Sequence, residues 1–253
     1  MINKIYKNKK IIVTGHTGFK GSWLCFWLYL LGANIYGISK DIPTTPSLFN
    51  ILNIKKLIKK DYRINIKDYK KLKYLIEKIE PQIVFHLAAQ ALVKKSYKKT
   101  FETFLSNTVG TLNVLDIIYN CKKKINLVLI TSDKVYKNIN TKKKYIESDK
   151  IGGDDPYSSS KGAADIIAGS YKLLFEKKGH KIIVARAGNV IGGGDWADDR
   201  IISDCFKSWK MNKSVKIRNP HATRPWQHVL EPISGYLLAG YYLLSNKKKI
   251  TGL

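Results

Sequence analysis

The chain has 253 residues, and 44% of them are hydrophobic, which fits one large α/β domain with or without a smaller lobe. No apolar run approaches the ~20 residues of a membrane span, and residues 1–10 lead into a predicted strand, not into a secretory signal. The net charge of +26 comes from 45 basic residues, only five of them arginine, which favours solvated surface lysines over a nucleic-acid-binding face. We therefore expect neither a specific nucleic-acid partner nor a membrane partner.

The three cysteines, Cys25, Cys121 and Cys205, are far apart in the sequence and odd in number. They match no metal-binding or redox motif. This pattern predicts a reduced, cytoplasmic protein without a metal site.

A glycine-rich turn follows the first predicted strand, whose buried core is the run 11–13. Gly15, Gly18 and Gly21 come at three-residue spacing, and an apolar helical pattern then runs to Gly32. Gly15 permits the tight turn, Gly18 leaves room for a pyrophosphate, and Gly21 lets the helix pack closely. The spacing differs from the usual G-x-G-x-x-G, but strand, turn and helix together predict a dinucleotide-binding unit.

A second strand, 34–38, ends where such a unit contacts the adenosine ribose. Asp41 at this end favours NAD, whereas the neighbouring Lys40 favours a 2′-phosphate, so the sequence leaves the choice open. Residues 42–50 predict a loop that leads to a short helix, and 62–66 predict a third strand. Asn65 at its end is a candidate contact to adenine.

A helix over 68–79, stopped by Pro81, precedes a fourth strand that begins at Gln82. The small side chains of Ala88 and Ala89 in its exit loop predict close approach of a cofactor ribose to the backbone. His86 lies inside the apolar strand and is predicted to be a satisfied core residue. One amphipathic helix over 101–120 carries Asn107.

The fifth strand is predicted over 127–132. Because ligands bind at the carboxyl ends of such strands, residues 131–136 at the end of this strand are a candidate active-site edge. A polar loop over 137–150 precedes a helix that carries Tyr157 and Lys161, four residues apart on one face. An ammonium beside a phenol favours the ionised phenol, which is then able to remove a hydroxyl proton.

A sixth strand is predicted over 181–186, followed by a glycine cluster over 188–195 that predicts a ligand-lining loop. Beyond residue 190 the strand–helix alternation fades, and we expect a second lobe that faces the substrate. Arg218, Arg224 and Trp226 in this part offer phosphate contacts and a stacking surface.

Seven motifs together resemble the extended short-chain dehydrogenase/reductases and, within them, the CDP-glucose 4,6-dehydratases. These motifs are GHTGFKGSW (15–23), PTTPSLF (43–49), HLAAQALVKKSY (86–97), TSDKVY (131–136), DPYSSSKGAAD (155–165), RAGNVIGGGDWADDR (186–200) and IRNPHATRPWQHVLEP (217–232). The resemblance implies a doubly wound, Rossmann-like α/β fold with a parallel sheet. It also implies an NAD-binding domain over 1–189 and a partial substrate lobe over 190–253.

The implied reaction is a redox-neutral loss of water from CDP-glucose, through transient hydride transfer to bound NAD, that gives CDP-4-keto-6-deoxyglucose. Such products serve deoxysugar synthesis for surface polysaccharides, including the lipopolysaccharide O-antigen. By position, Tyr157 is the base for the 4-hydroxyl, supported by Lys161, and Ser132 binds the 4-oxygen. Asp133 is the acid for the departing 6-hydroxyl, and Lys134 stands where related dTDP-sugar dehydratases have a glutamate as C5 base.

The resemblance also implies two sets of binding residues. The NAD set is Gly15, Thr17, Gly18, Phe19, Lys20, Gly21, Asp41, Asn65, Ala88, Ala89, Gln90, Asn107, Tyr157 and Lys161. The nucleotide-sugar set is Asn189, Arg200, Arg218 and Arg224.

Two departures and three alternatives stand beside this interpretation. Asn65 replaces a usual aspartate, and the chain ends at Leu253 where family members continue. We therefore expect a truncated protein with an intact NAD site, impaired turnover and reduced solubility. The alternatives are another extended short-chain sugar-nucleotide enzyme, such as an epimerase or a reductase, a basic nucleic-acid binder, and a truncated NAD-binding protein without turnover. Asp133–Lys134 argues against an epimerase. The helices at 97–120 and 157–178 are expected to form a homodimer or higher homo-oligomer.

Overall fold

The computed structural model describes residues 2–139, 144–217 and 220–245. The helices are α1 (Ile2–Ile5), α2 (Phe19–Leu30), α3 (Leu48–Ile51), α4 (Ile54–Leu57), α5 (Tyr69–Ile79), α6 (Val93–Lys98), α7 (Thr100–Phe104), α8 (Gly110–Asn120), α9 (Pro156–Lys178), α10 (Ile201–Lys210) and α11 (Leu230–Ser245). The strands are β1 (Lys10–Thr14), β2 (Asn34–Ser39), β3 (Lys60–Arg63), β4 (Ile83–His86), β5 (Asn126–Ile130), β6 (Lys181–Ala185), β7 (Asn189–Ile191) and β8 (Trp226–His228).

A parallel sheet in the order β3-β2-β1-β4-β5-β6 forms the centre of the molecule. The strand order reverses direction between β1 and β4, which opens a crevice at their carboxyl ends. The predicted doubly wound α/β fold is thus confirmed, and the glycine turn after β1 lies at this crevice.

Alternate residues of β1 supply the cores on the two faces of the sheet. Ile11 and Val13 belong to one core, together with residues of α2 and α11. Ile12 belongs to the other core, together with residues of α5, α8 and α9. A strand covered on both faces reads as a continuous apolar run, which is why this strand is readable in the sequence.

Two predicted elements differ from the structure. The third strand runs over Lys60–Arg63, not over 62–66, because its backbone pairs with β2 from Tyr36 onward. The predicted helix over 101–120 is one continuous helical segment made of α7, a π-helical turn at Leu105–Val109 and α8, and only the π-helical turn was not predicted. The turn holds Asn107, whose side chain bonds to two neighbouring segments and thereby favours the bulge.

After β6 the chain forms a small second sheet in which β7 pairs with β8 in parallel, followed by α11. Helix α11 packs against β5, β6 and α2, so this late segment completes one face of the main sheet. The division at residue 190 stays a prediction. Arg218 lies outside the described residues.

Of the helices in the described ranges, none is long and apolar enough to cross a membrane.

Candidate active site

The glycine turn between β1 and α2 lies against the backbone that follows β4. Gly15 has a φ of +75°, and a Cβ there would lie 2.7 Å from the Ala88 amide nitrogen. A Cβ on Gly21 would collide with the Gly15 carbonyl. Helix α2 begins at Phe19, whose side chain packs on the core, with Gly18 as an N-cap that gives no side-chain hydrogen bond. First-turn N–H groups therefore remain available to a phosphate.

Beside this turn, the end of β2 carries the predicted ribose contact. The Thr17 hydroxyl donates to the Asp41 carbonyl at 2.6 Å and ties the turn to this segment. Lys40 Nζ lies 3.3 Å from the Asp41 carboxylate, and both side chains are more than half exposed. Asn65 is turned toward its own loop, since its Oδ1 accepts from the Lys67 amide at 3.1 Å.

Sequence reasoning misses His16, a fully buried side chain inside the glycine turn. Its Nδ1 lies 2.9 Å from Ser39 Oγ, and its Nε2 lies 2.9 Å from Asp61 Oδ1. Burial lowers the pKa of His16, although the nearby Asp61 opposes this shift. The imidazole thus links the turn to β2 and β3, a link with no periodic signal in the sequence.

His86 is a satisfied core residue, as predicted. It is 2% exposed, with its ring nitrogens 2.7 Å from Thr14 Oγ1 and 3.1 Å from Thr111 Oγ1. Burial lowers its pKa to about 3, so the ring is neutral at physiological pH. Thr14 Oγ1 also accepts from the Ala88 amide at 3.2 Å, and this fixes the exit loop that continues through the half-buried Ala89.

Asn107 connects that exit loop to the helix predicted to carry the catalytic pair. Its Oδ1 accepts from the Gln90 amide at 2.7 Å. Its Nδ2 donates to the Gln90 carbonyl and to Ser160 Oγ, both at 3.0 Å. The π-helical turn is what aims this amide at both segments. Asn107 therefore positions backbone on either side of the crevice.

The predicted catalytic groups meet around Ser132, directly after β5. Ser132 Oγ donates to Asp133 Oδ1 at 3.1 Å, and the interaction of Ser132 with the Tyr157 phenol acts to lower the pKa of Tyr157. Burial raises the pKa of Asp133, although hydrogen bonds from Ser132 and the Lys134 amide oppose this shift. A carboxyl with a raised pKa is suited to donate a proton, and here it shares a hydroxyl neighbour with a phenol.

Tyr157 lies in the first turn of α9, where capping fixes the backbone. Asp155 is the N-cap and accepts from the Tyr157 and Ser158 amides, and Ser158 returns the bond in a capping box. Pro156 occupies the first helical position. The position of the phenol is therefore set by local sequence chemistry as well as by packing.

The electrostatics of Tyr157 differ from the expectation. Its pKa is raised, mainly by burial, while the Ser132 hydrogen bond and the charge of Arg200 act in the opposite direction. The Lys161 ammonium instead donates to the Ile130 carbonyl at 2.8 Å. Burial lowers the pKa of Lys161 to about 7, helped by the charge of Lys20. This lysine is therefore partly neutral at physiological pH.

Lys20 and Tyr236 form a contact between α2 and α11 that sequence reasoning misses. Lys20 Nζ donates to Tyr236 Oη at 3.3 Å. Burial lowers the pKa of Lys20 to about 8, and the charge of Arg200 adds to this effect. Burial raises the pKa of Tyr236, with Tyr157 as a second cause. Because α11 falls outside the regular strand–helix alternation, nothing in its pattern points to this site.

Lys134 lies at the edge of this group. Its side chain is 35% exposed, and its Nζ lies 3.8 Å from Asp155 Oδ2. The role of a base requires a neutral amine, for which burial or nearby cations are needed. The surroundings of Lys134, a nearby carboxylate and partial exposure to solvent, supply neither of these conditions.

Three of the predicted nucleotide-sugar residues, Asn189, Arg200 and Arg224, belong to β7 or to the segments beside β7 and β8. Asn189 begins β7 and donates its amide to the Pro225 carbonyl at 3.2 Å. Arg200 Nη1 lies 3.1 Å from Asp195 Oδ2, and its charge acts on both Tyr157 and Lys20. Arg224 is exposed, but its charge reaches Asp133 and opposes the raised pKa there. Trp226 begins β8 and is 46% exposed.

Comparison with known proteins shows which family of enzymes the chain resembles. A family model described as GDP-mannose 4,6 dehydratase matches residues 12–242. The chain is 44% identical over 258 residues to the CDP-glucose 4,6-dehydratase of Salmonella typhimurium, covering 99% of this chain and 72% of that protein. It is 31% identical to the dTDP-D-glucose 4,6-dehydratase of Dictyostelium discoideum, covering 90% of this chain and about half, 54%, of that protein.

Among solved structures, the dTDP-glucose 4,6-dehydratase of Bacillus anthracis in complex with NAD superposes with a TM-score of 0.78. The identity is 22%, and the match covers 94% of this chain and 73% of that chain. At this identity the likeness demonstrates the shared fold.

Proposed function

Because the chain belongs to the GDP-mannose 4,6 dehydratase family, we propose that it is an NAD-dependent hydro-lyase that converts CDP-glucose to CDP-4-keto-6-deoxyglucose and water. The substrate follows the 44% identity to the Salmonella CDP-glucose 4,6-dehydratase. The observation that carries the proposal is the meeting of Ser132, Asp133 and Tyr157: Ser132 Oγ donates to the Asp133 carboxylate at 3.1 Å, and Ser132 also acts to lower the pKa of the Tyr157 phenol.

The residues of the glycine turn fit NAD. Gly15 and Gly21 lie where any side chain would collide with backbone, and α2 begins without a side-chain cap on Gly18. These features suit a pyrophosphate at the first turn of α2. Asp41 and Asn65 would take the adenosine end, and Tyr157 and Lys161 the nicotinamide ribose. When bound, NAD supplies a ring that takes up a hydride from the sugar and later returns it.

Proton transfer at C4 is the proposed task of Tyr157 and Ser132. Tyr157 takes the proton of the 4-hydroxyl, and Ser132 Oγ donates a hydrogen bond to the 4-oxygen. The raised pKa of Tyr157 means that this step needs positive charge at the phenol, and Arg200 already supplies part of it. The positively charged nicotinamide of bound NAD and the ammonium of Lys161 would supply more.

Elimination across C5 and C6 is the proposed task of Asp133 and Lys134. Once C4 is a ketone, the C5 proton is acidic, and Asp133 gives a proton to the departing 6-hydroxyl. The buried, raised-pKa carboxyl suits this acid role. Lys134 is the proposed acceptor of the C5 proton, which requires the substrate to displace the Asp155 carboxylate that lies 3.8 Å from Nζ.

The test is incubation of the purified chain with NAD and, separately, CDP-, dTDP-, UDP- and GDP-glucose, followed by mass analysis. We expect loss of one water from CDP-glucose in preference to the others. Change of the sugar without loss of water would favour an epimerase or a reductase. NAD binding without any product would favour the third alternative, a cofactor-binding protein without turnover.

We extend the proposal to a homodimer formed through α6 to α9. Large apolar side chains on these helices are exposed, among them Phe101 at 74% and Leu173 at 67%. Exposed large apolar side chains on packed helices are what an interface between copies would cover. Sedimentation analysis of the chain is expected to give twice the mass of 28.8 kDa, and a monomer would contradict this part.

The cytoplasm is the proposed compartment. Cys25, Cys121 and Cys205 are free thiols, as a reducing environment requires.

A further inference from the structure

A buried ion pair lies behind the groups assigned to catalysis. Asp165 is 5% exposed and lies on α9, two turns after Tyr157 and one turn after Lys161. Arg186 follows β6, and its Nε and Nη2 donate to the two Asp165 carboxylate oxygens at 2.9 and 2.7 Å. This two-point geometry fixes the relative orientation of both groups.

The same carboxylate also holds the segment that follows β5. The Thr131 hydroxyl donates to Asp165 Oδ2 at 2.9 Å, and Thr131 directly precedes Ser132 and Asp133. Arg186 continues the link on the other side of that segment. Its Nη1 donates to Tyr136 Oη at 3.0 Å and to the Glu147 carbonyl at 3.1 Å.

From these contacts we propose that the Asp165–Arg186 pair is a positioning device for the reaction. It holds α9, which carries Tyr157 and Lys161, at a fixed distance from the 131–136 segment, which carries Ser132 and Asp133. The reaction needs groups from both elements on one sugar at the same time, and small displacements of such groups cost rate steeply. The proposal rests on the dehydratase function proposed above.

Stability alone gives a poor account of this pair. Burying two charges costs desolvation energy, and apolar residues of similar volume often replace a buried ion pair without loss of stability. The pair therefore points to a geometric or electrostatic role. The i, i+4, i+8 spacing of Tyr157, Lys161 and Asp165 places all three on one helix face, a signal that the sequence already contains.

Asp165 has an electrostatic role as well. Three titratable groups interact with Lys161: Lys20 lowers its pKa, Asp165 raises it, and His86 is neutral at physiological pH. The Ile130 carbonyl accepts from the ammonium. Asp165 thus opposes the lowering of the Lys161 pKa by burial and by the charge of Lys20.

The experiment compares Asp165→Asn and Arg186→Lys with Asp116→Asn as a matched control. Asp116 lies on α8 and likewise accepts side-chain hydrogen bonds, from Tyr69 at 2.6 Å and Tyr171 at 3.4 Å, away from the crevice. We expect kcat to fall roughly 10- to 100-fold in Asp165→Asn and about 10-fold in Arg186→Lys, with KM for CDP-glucose within about threefold of wild type. Asp116→Asn is expected to keep kcat within about twofold.

Two measurements do not depend on turnover. Amide hydrogen exchange over 131–136 is expected to quicken at least about tenfold in both pair variants and to stay unchanged in the control. The pKa of Lys161, followed by NMR of ¹³C-labelled lysine, is expected to drop by about one unit in Asp165→Asn. Arg186→Lys keeps Asp165 and is expected to leave the Lys161 pKa unchanged.

Unchanged exchange over 131–136 in both variants would overturn the proposal, as would equal loss of kcat in Asp116→Asn. If Asp165→Asn fails to fold, Arg186→Lys carries the exchange and kinetic comparison. If the wild-type chain gives no product, the proposed function fails, and exchange and the Lys161 titration still decide whether the pair holds the two elements together.

Discussion

The two sides of the crevice differ in how their polar groups are held. On the side of β5 and α9, Ser132 and Lys161 are 7% and 5% exposed and already bonded to neighbours. On the side of β7 and β8, Trp226 is 46% exposed. The exposed Arg224 donates to the carbonyl of its chain neighbour, Thr223. The groups proposed for chemistry are thus ordered in advance, whereas the groups proposed for nucleotide binding are expected to gain order from the substrate.

The strongest test of the ordered side is Tyr157→Phe. Removing the phenol oxygen removes the base for the 4-hydroxyl, and we expect kcat to fall at least about 10³-fold. Because Phe keeps the packing, the melting temperature and the affinity for NADH, measured by fluorescence titration, are expected to stay near wild type. A variant that keeps a tenth of the activity would mean that Tyr157 is not the base.

Asp133→Asn tests the acid on the same side. The amide has no acidic proton to give to the departing hydroxyl, so we expect kcat to fall about 100-fold. Hydride transfer precedes this step, and the reduced nicotinamide is therefore expected to accumulate in single-turnover absorbance traces. Loss of that absorbance together with turnover would contradict the assignment, since it would place Asp133 in an earlier step.

The ordered side was also the more readable one in the sequence, and the reason is physical. Buried parallel strands give continuous apolar runs. The TSDKVY motif follows such a strand, and the DPYSSSK motif opens a capped helix. Their positions near the carboxyl ends of the strands were therefore predictable. Local pattern carries no information on contacts between distant segments. The bonds of His16 to Asp61 and of Lys20 to Tyr236 are of that kind.

The same reasoning explains the two local errors. The run 62–66 has strand-like composition, but the register of β3 is set by pairing with β2, which a single segment does not encode. The π-helical turn around Asn107 depends on bonds to Gln90 and Ser160 rather than on the periodicity of its own helix. This π-helical turn was therefore not predictable from sequence periodicity.

The buried lysine gives the ordered side a pH-dependent stability. Lys161 has a pKa of about 7 in the folded chain, against about 10.4 when unfolded. Between these values the unfolded state binds more protons, so the free energy of unfolding rises with pH from about 7 to about 10. Lys161→Met should remove this contribution and raise the melting temperature of the chain at pH 7.

Thermal melts between pH 6 and pH 10 measure this effect. The slope of melting temperature against pH is expected to flatten in Lys161→Met, with the remaining slope due in part to Lys20, whose pKa of about 8 has the same sign. Lys134→Met serves as the control, because that side chain is 35% exposed. An unchanged slope in Lys161→Met would show that Lys161 is not buried as a neutral amine.

The exposed side predicts a smaller effect of a different kind. Trp226 offers a ring on which a nucleotide base can stack, and such stacking contributes about 1–3 kcal/mol per base. We expect Trp226→Ala to raise KM for CDP-glucose about tenfold and to leave kcat within about twofold, because the ring lies at the start of β8 and is 46% exposed. Trp226→Phe should restore most of the affinity. Steady-state kinetics on the wild type and the two variants measures kcat and KM separately. A fall in kcat without a change in KM would mean that the β7–β8 side also takes part in the chemistry. The contrast between the two sides of the crevice would then not hold.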